Sequence, residues 1–245
     1  ISDLEPALAG RFDRAAWLVE TSYSTNPYQF VQLLAEDFVR QGGQFVRERV
    51  TGFTFDRSGP STLVTTAGRH PLDQLVLAAG AFSRDLAASL GSKIPLDTER
   101  GYHVMLPQSG IELQRTLVNG DYYFALTPME GGLRLAGTVE FASIHAAPNY
   151  DRADQLLKVA REIFPEICSE GSTQWMGCRP SLPVSLPVIG RSAVHDSVYF
   201  AFGHGHLGLT GAAMTGKLIA QLVAGRPTCI DIAPFRAERF CCGFF

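Results

Sequence analysis

The stretch FGHGHLGLTGAAMTGKL, residues 202–218, constrains the fold more than any other part of this sequence. It follows the apolar, β-prone run VYFAF and leads into a segment whose Leu218, Ile219, Leu222 and Val223 share one helical face, with Gly225 as the expected stop. Glycines packed between a strand and a helix mean that backbone, not side chains, shapes the surface at that junction. Two nucleotide-binding patterns match here. Gly211, Gly216 and Lys217 give most of a phosphate loop, but Leu218 stands where a Ser or Thr hydroxyl must hold Mg²⁺, so that reading fails. Gly203, Gly205 and Gly208 give G-x-G-x-x-G in the right strand-to-helix setting. A dinucleotide fingerprint also needs a following strand that ends in a ribose-binding acid. Only RPTCIDIAPFRAERF and a short tail follow, and the run around Asp231 stops at Pro234. What survives is physical: a glycine turn that lets backbone approach a flat ligand, and a helix, expected to begin near Thr210, whose unpaired N–H groups favour negative charge.

The 245 residues are 46% hydrophobic, which suits one large domain or two interleaved ones. A formal charge of −3 and the lack of a Lys/Arg run argue against nucleic acid, whose phosphates demand concentrated positive charge. No run reaches the roughly eighteen apolar residues that a membrane span needs. The opening ISDLEPALAG has neither Met nor a basic-then-apolar signal pattern. The cysteines, Cys168, Cys178, Cys229, Cys241 and Cys242, are odd in number and form no C-x-x-C pair, which points to a reducing, cytoplasmic compartment. The terminal CCGFF reads as a disordered tail.

Asn26-Pro27 is a helix start, with a capping side chain and a ring suited to the first helical position. Val31, Leu34, Ala35, Phe38 and Val39 then share a face, and Gly42-Gly43 ends the helix. QFVRERV, TGFTFD and STLVTTA read as strands, the last two joined at RSGP, and QLVLAAGAFS (74–83) as a buried strand running into small residues. In the middle, GYHVMLP, RTLVNG, YYFALTP and GLRLAGTVEF read as an antiparallel sheet. Leu133, Leu135 and Val139 there alternate with Arg134, Thr138 and Glu140. Leu156, Val159, Ala160, Ile163 and Phe164 mark a second amphipathic helix stopped by Pro165.

These stretches, in order, resemble the FAD-dependent D-amino acid oxidase superfamily, most nearly the bacterial D-amino acid dehydrogenases. The resemblance is carried by LEPAL (4–8), VLAAGAFS (76–83), RGYHVMLP (100–107), TPMEGGLRLAGTVEF (127–141), GCRPSLPVSLPVIG (177–190), the glycine turn and IDIAPFRAERF (230–240). It implies an α/β (α+β) protein. A partial FAD-binding domain, Rossmann-like and of glutathione-reductase type, would comprise 26–98 and 180–245, interleaved with an antiparallel-sheet substrate domain of 1–25 and 99–179. The family opens with a β-α-β unit that carries its own G-x-G-x-x-G and ribose acid. Nothing of that kind precedes Ile1, so the sequence is similar to about the later two-thirds of such a protein. Without that unit FAD lacks its diphosphate seat, and activity of this chain by itself is left open.

The resemblance implies oxidation of a small amino acid. Its Cα hydride would pass to N5 of a non-covalently held FAD, and water would split the imine into a 2-oxo acid and ammonia. The electrons would go on to a quinone, another carrier or O₂. Arg179 in GCRPS is the expected carboxylate anchor, a guanidinium fork matching two oxygens, favoured over a surface salt bridge. Tyr102 and His103 must face opposite sides of their strand, and His103 is expected on the site side. Of Tyr122 and Tyr123 only one can point inward, and Tyr123 is the candidate. His206 is given a supporting role at the substrate amine or flavin. His204-x-His206 has no third ligand near at metal-site spacing, so no metal is expected. Val50 is expected to meet adenine through its backbone. Ala78, Ala79 and Gly80 would let the cofactor lie close, and Gly205, His206, Leu207, Gly208, Leu209 and Thr210 would wrap the pyrimidine edge of the flavin.

Two other readings compete. A glycine, sarcosine or D-hydroxyproline oxidase would use the same scaffold with a different pocket. A non-catalytic fragment that binds no cofactor is the alternative of another class. The expected location is cytoplasmic, or peripheral on the inner membrane face.

Overall fold

A computed structural model describes residues 1–240, and Cys241 and Cys242 lie outside the described residues. In chain order the elements are α1 (Pro27–Arg40), β1 (Val50–Asp56), β2 (Gly59–Thr65), β3 (Arg69–Pro71), β4 (Leu75–Leu77), α2 (Ser83–Ser89), β5 (Asp97–Leu106), β6 (Leu117–Asn119), β7 (Phe124–Met129), β8 (Gly132–Ala136), β9 (Glu140–Phe141), α3 (Asp151–Ile163), β10 (Thr173–Ser181), β11 (Val188–Arg191), β12 (Val198–Phe202) and α4 (Gly208–Val223). The chain divides into two compact units. The first comprises 1–45, 100–140 and 147–177, and the second 46–99, 141–146 and 178–245.

The first unit is built on an antiparallel sheet whose main path runs β10-β5-β8-β7-β6. Alternation decides its two faces. Tyr102, Val104, Leu106, Phe124, Leu126, Leu133 and Leu135 turn to one side and pack with Ala153, Leu156, Ala160 and Phe164 from α3 and its C-terminal end. Each large side chain so buried contributes about 1.5–3 kcal/mol. The expected alternation in GLRLAGTVEF holds as far as Ala136 and then breaks: Val139 is exposed. α1 is capped as its sequence predicts, Asn26 Oδ1 accepting from the Gln29 amide at 2.9 Å. Residues 26–45 fall within this unit. Asn26 Nδ2 donates to Glu130 at 2.8 Å, and the Glu130 amide donates to the Thr25 carbonyl at 3.2 Å. Its apolar stripe, Val31, Leu34, Phe38 and Val39, remains exposed.

The second unit holds two sheets, β1-β2-β3 and β11-β12-β4. In the latter, β12 pairs antiparallel with β11 and parallel with β4, Val198, Tyr199 and Phe200 standing opposite Leu75, Val76 and Leu77. One face packs Ile189 and Tyr199 against Leu218 and Ile219 of α4; the other packs Val188, Val198, Phe200 and Phe202 with Leu77, Ala87 and Leu90. Three local expectations change. QFVRERV is irregular up to Val50, the first residue with a ladder partner. QWMGCRPS, not read as a strand, forms most of β10, because the sheet offers a partner that its glycine- and proline-containing sequence does not advertise. α4 begins at Gly208, two residues before the expected Thr210.

Candidate active site

Parallel pairing of β4 with β12 fixes where the two glycine-containing turns of the second unit emerge. Both strands end at the same edge, so Ala78, Ala79 and Gly80 leave β4 on the side where Gly203, His204 and Gly205 leave β12. Carboxyl ends of neighbouring parallel strands are where open α/β sheets present ligands. Val50 is elsewhere in the same unit, opening β1 opposite Thr65 in the other sheet.

The turn is held from both sides. Gly203 and Gly205 have φ of +84° and +55°, a region that side chains strain to enter. The Gly205 amide donates to the Pro180 carbonyl at 2.8 Å, tying the turn to the residue after Arg179. His204 turns back under α4: its Cδ2 lies where a Cβ at Gly211 would be 3.5 Å away, and its Nε2 is 2.9 Å from the hydroxyl of buried Thr215. Burial holds the His204 pKa below the ordinary histidine value, so the ring is neutral when it meets Thr215. His204 was weighed in the sequence only as a possible metal ligand; its role in shaping the turn depended on a contact eleven residues away along the chain.

α4 opens on Leu207 without a side-chain cap. Among the described residues the amides of Gly208, Leu209 and Thr210 have no backbone acceptor, whereas the Gly211 amide already bonds the Leu207 carbonyl. Leu207, Leu209 and His206 are exposed around these amides. Free N–H groups at a helix start, apolar neighbours and a turn without side-chain bulk fit the edge of a flavin ring: they offer donors for its carbonyls and partial positive charge for its reduced form.

In the first unit His103 and Tyr102 point to opposite sides of β5. Tyr102 is buried; its hydroxyl donates to Glu140 at 2.6 Å and accepts from the Asn149 amide at 2.9 Å. Burial, then the Glu140 hydrogen bond, raises its pKa, so the phenol stays protonated and structural. Fully buried Arg100 lies 3.4 Å from the same carboxylate and donates to the Ala147 carbonyl. His103 stacks on Trp175, ring centroids 5.1 Å apart at 27°. Burial, with the Arg134 charge adding to it, lowers its pKa to about 4, and its Nδ1 is buried without a hydrogen-bond partner. Tyr123 is 83% exposed with φ +50°, at the turn before β7, while Tyr122 donates to Glu162 at 2.7 Å.

Among the described residues no three His, Cys, Asp or Glu side chains gather as metal ligands, and no helix is long and apolar enough to cross a membrane. The family model described as DAO, FAD dependent oxidoreductase, matches residues 1–222. A D-amino-acid oxidase of Bradyrhizobium diazoefficiens is 38% identical over 240 residues, 96% of this chain and 57% of that protein. A glycine oxidase of Pseudomonas putida is 28% identical over 241 residues, 96% of this chain and 65% of that protein. Among solved structures, the glycine oxidase of Geobacillus kaustophilus superposes with a TM-score of 0.73 at 25% identity, covering 85% of this chain and 56% of that one. The chain thus spans 57%, 65% and 56% of the length of these three relatives.

Proposed function

The chain belongs to the DAO family of FAD-dependent oxidoreductases, and from that premise we propose that the protein containing it oxidises a D-amino acid to its imine, which water converts to a 2-oxo acid and ammonia. Bound FAD supplies the acceptor for the hydride that leaves Cα. This chain's residues do the holding. The Arg179 guanidinium takes the substrate carboxylate as a two-pronged pair and so fixes which hydrogen on Cα faces the acceptor. The amides of Gly208, Leu209 and Thr210, with Gly205, His206 and Leu207 beside them, hold the pyrimidine edge of the ring. Ala78, Ala79 and Gly80 leave room for the cofactor at the same strand ends, and the Val50 backbone meets its adenine.

The observation that carries this reading is the Gly205–Pro180 hydrogen bond. It ties the backbone next to Arg179 to the turn that opens α4, which supports reading the two as parts of one site. The identity to a D-amino-acid oxidase supports the substrate class, and the 28% identity to a glycine oxidase keeps glycine or sarcosine as a second reading. The electron acceptor is O₂ or a quinone-type carrier.

Anaerobic mixing of the complete protein with D-alanine, L-alanine, glycine and sarcosine tests the proposal. Bleaching of flavin absorbance by D-alanine alone is the expected result. Bleaching by glycine or sarcosine alone moves the assignment to the second reading, and a purified complete protein without flavin absorbance overturns both.

A further inference from the structure

In the second unit, the connection from β10 to β11, residues 182–187, turns on a strained residue. Ser185 has φ +56°, a region that a residue with a Cβ enters at a cost, and its amide donates to the Leu182 carbonyl at 2.9 Å. Burial at the tip does not hold this turn, because Val184 and Leu186 are exposed. Arg239 holds it instead. From the 3-10 turn Ala237–Phe240 its Nη2 donates to the carbonyls of Leu186 at 2.7 Å and Pro187 at 3.1 Å. Its Nη1 donates to the Arg236 carbonyl at 3.0 Å, and the guanidinium stands over the Phe240 ring, 4.4 Å from the centroid. Ala237 is buried in the cluster that holds Leu77, Phe200 and Phe202, and Phe240 packs against it, so the clamp stands on the core of this unit. The other end of the connection meets the glycine turn. Buried Leu182 fills the space beside Gly203, where a Cβ would fall 2.5 Å from Leu182 Cδ1, and Pro180 accepts from the Gly205 amide.

We propose that Arg239 is a positioning residue for the cofactor. It keeps Ser185 in its left-handed conformation and, through Leu182 and Pro180, keeps the glycine turn in the form that holds the flavin edge. The proposal rests on the oxidoreductase reading above. Strain at a residue such as Ser185 persists only where the surroundings over-determine it, and the two carbonyl contacts of Arg239 are what does so here. Without them Ser185 relaxes toward negative φ. The direction of the connection then changes, and Leu182 is drawn away from Gly203. Glycine at position 185 would adopt the same φ without strain, so the turn would keep its form with less help from Arg239. That dependence separates positioning from general stabilisation, because a residue that only adds stability acts equally in both backgrounds.

The complete protein is compared as wild type, Arg239→Gln, Ser185→Gly and the double variant. In Arg239→Gln, FAD should bind about tenfold more weakly, the scale of one net hydrogen bond. The reduced, anionic ring loses more from displaced donors than the oxidised ring does. A further tenfold loss for the reduced form lowers the two-electron midpoint potential by about 30 mV. In the Ser185→Gly background both changes should shrink, to about threefold in affinity and about 15 mV in potential. Hydrogen exchange of the peptide 203–207, which contains the Gly205 amide, reads the clamp without any flavin chemistry. It should quicken about tenfold in Arg239→Gln and clearly less in the double variant. Equal effects of Arg239→Gln in the two backgrounds overturn the proposal, as does unchanged FAD affinity in Arg239→Gln. A wild-type complete protein that binds no FAD overturns the oxidoreductase reading instead, and the exchange comparison then judges the clamp alone. Should Arg239→Gln fold poorly, Arg239→Lys takes its place: it keeps the charge and the stem, but an ammonium cannot reproduce the planar fork that spans these carbonyls.

Discussion

The Gly205 amide and the Pro180 carbonyl are 2.8 Å apart. That bond joins the glycine turn before α4 to the strand that carries Arg179. If Arg179 anchors the substrate carboxylate as proposed, Arg179→Ala in the complete protein should raise KM for amino acids by about 30-fold or more, the loss of about 2 kcal/mol expected when one side of a two-pronged carboxylate pair is removed. Arg179→Lys should recover only part of the loss, because an ammonium cannot reproduce the fork. Steady-state kinetics that leave KM unchanged in Arg179→Ala would remove the residue from the site.

His204 should act on the cofactor through the turn rather than by touching it. His204→Ala removes the Thr215 hydrogen bond and the packing beneath Gly208 and Gly211. Flavin affinity measured by fluorescence titration should weaken about tenfold, the size of one net hydrogen bond. Thr215→Val should do much the same, and the double variant should be no worse than either single one if the two act as a pair. Full additivity would contradict this.

Stability of the chain should fall as the pH is lowered through 6.5 toward 4. The pKa values of His103 and His204 are both lowered in the folded state, so over that window the unfolded chain binds more protons than the folded one. The stability that their neutral forms maintain is present above pH 6.5 and is lost as pH drops, by on the order of 1–2 kcal/mol for His103 after allowing for its partial exposure. Urea unfolding at pH 7.5 and 4.5 measures this. His103→Asn should flatten the dependence, and an equally steep curve in that variant would assign the effect to other groups.

The carboxylate of Glu140 serves Tyr102 and Arg100 together. Glu140→Ala leaves Arg100 buried without its counter-charge and should destabilise the fold by about 3–5 kcal/mol. Tyr102→Phe, which loses the hydrogen bonds to Glu140 and from the Asn149 amide but buries no unpaired charge, should cost about 1–3 kcal/mol. Thermal melts that rank the two variants in the opposite order would show that the ion pair contributes little.

Periodicity and glycine placement determine much of this protein by themselves. The capped start of α1 at Asn26, the alternation that puts Leu133 and Leu135 on one face, and the strand–turn–helix at 198–223 follow from local chemistry that acts over a few residues. The family too was legible, because its motifs keep their order along the chain. Tertiary structure decided what depends on partners distant in sequence. β10 exists because the sheet offers it a neighbour. His204 is a brace because Thr215 meets it, and Tyr102 rather than His103 is buried because the α3 core covers that face of the sheet. Trp175 and His103 became a pair only when two strands seventy residues apart were laid side by side. Local backbone preference writes the elements; only long-range packing chooses which side chains share a surface.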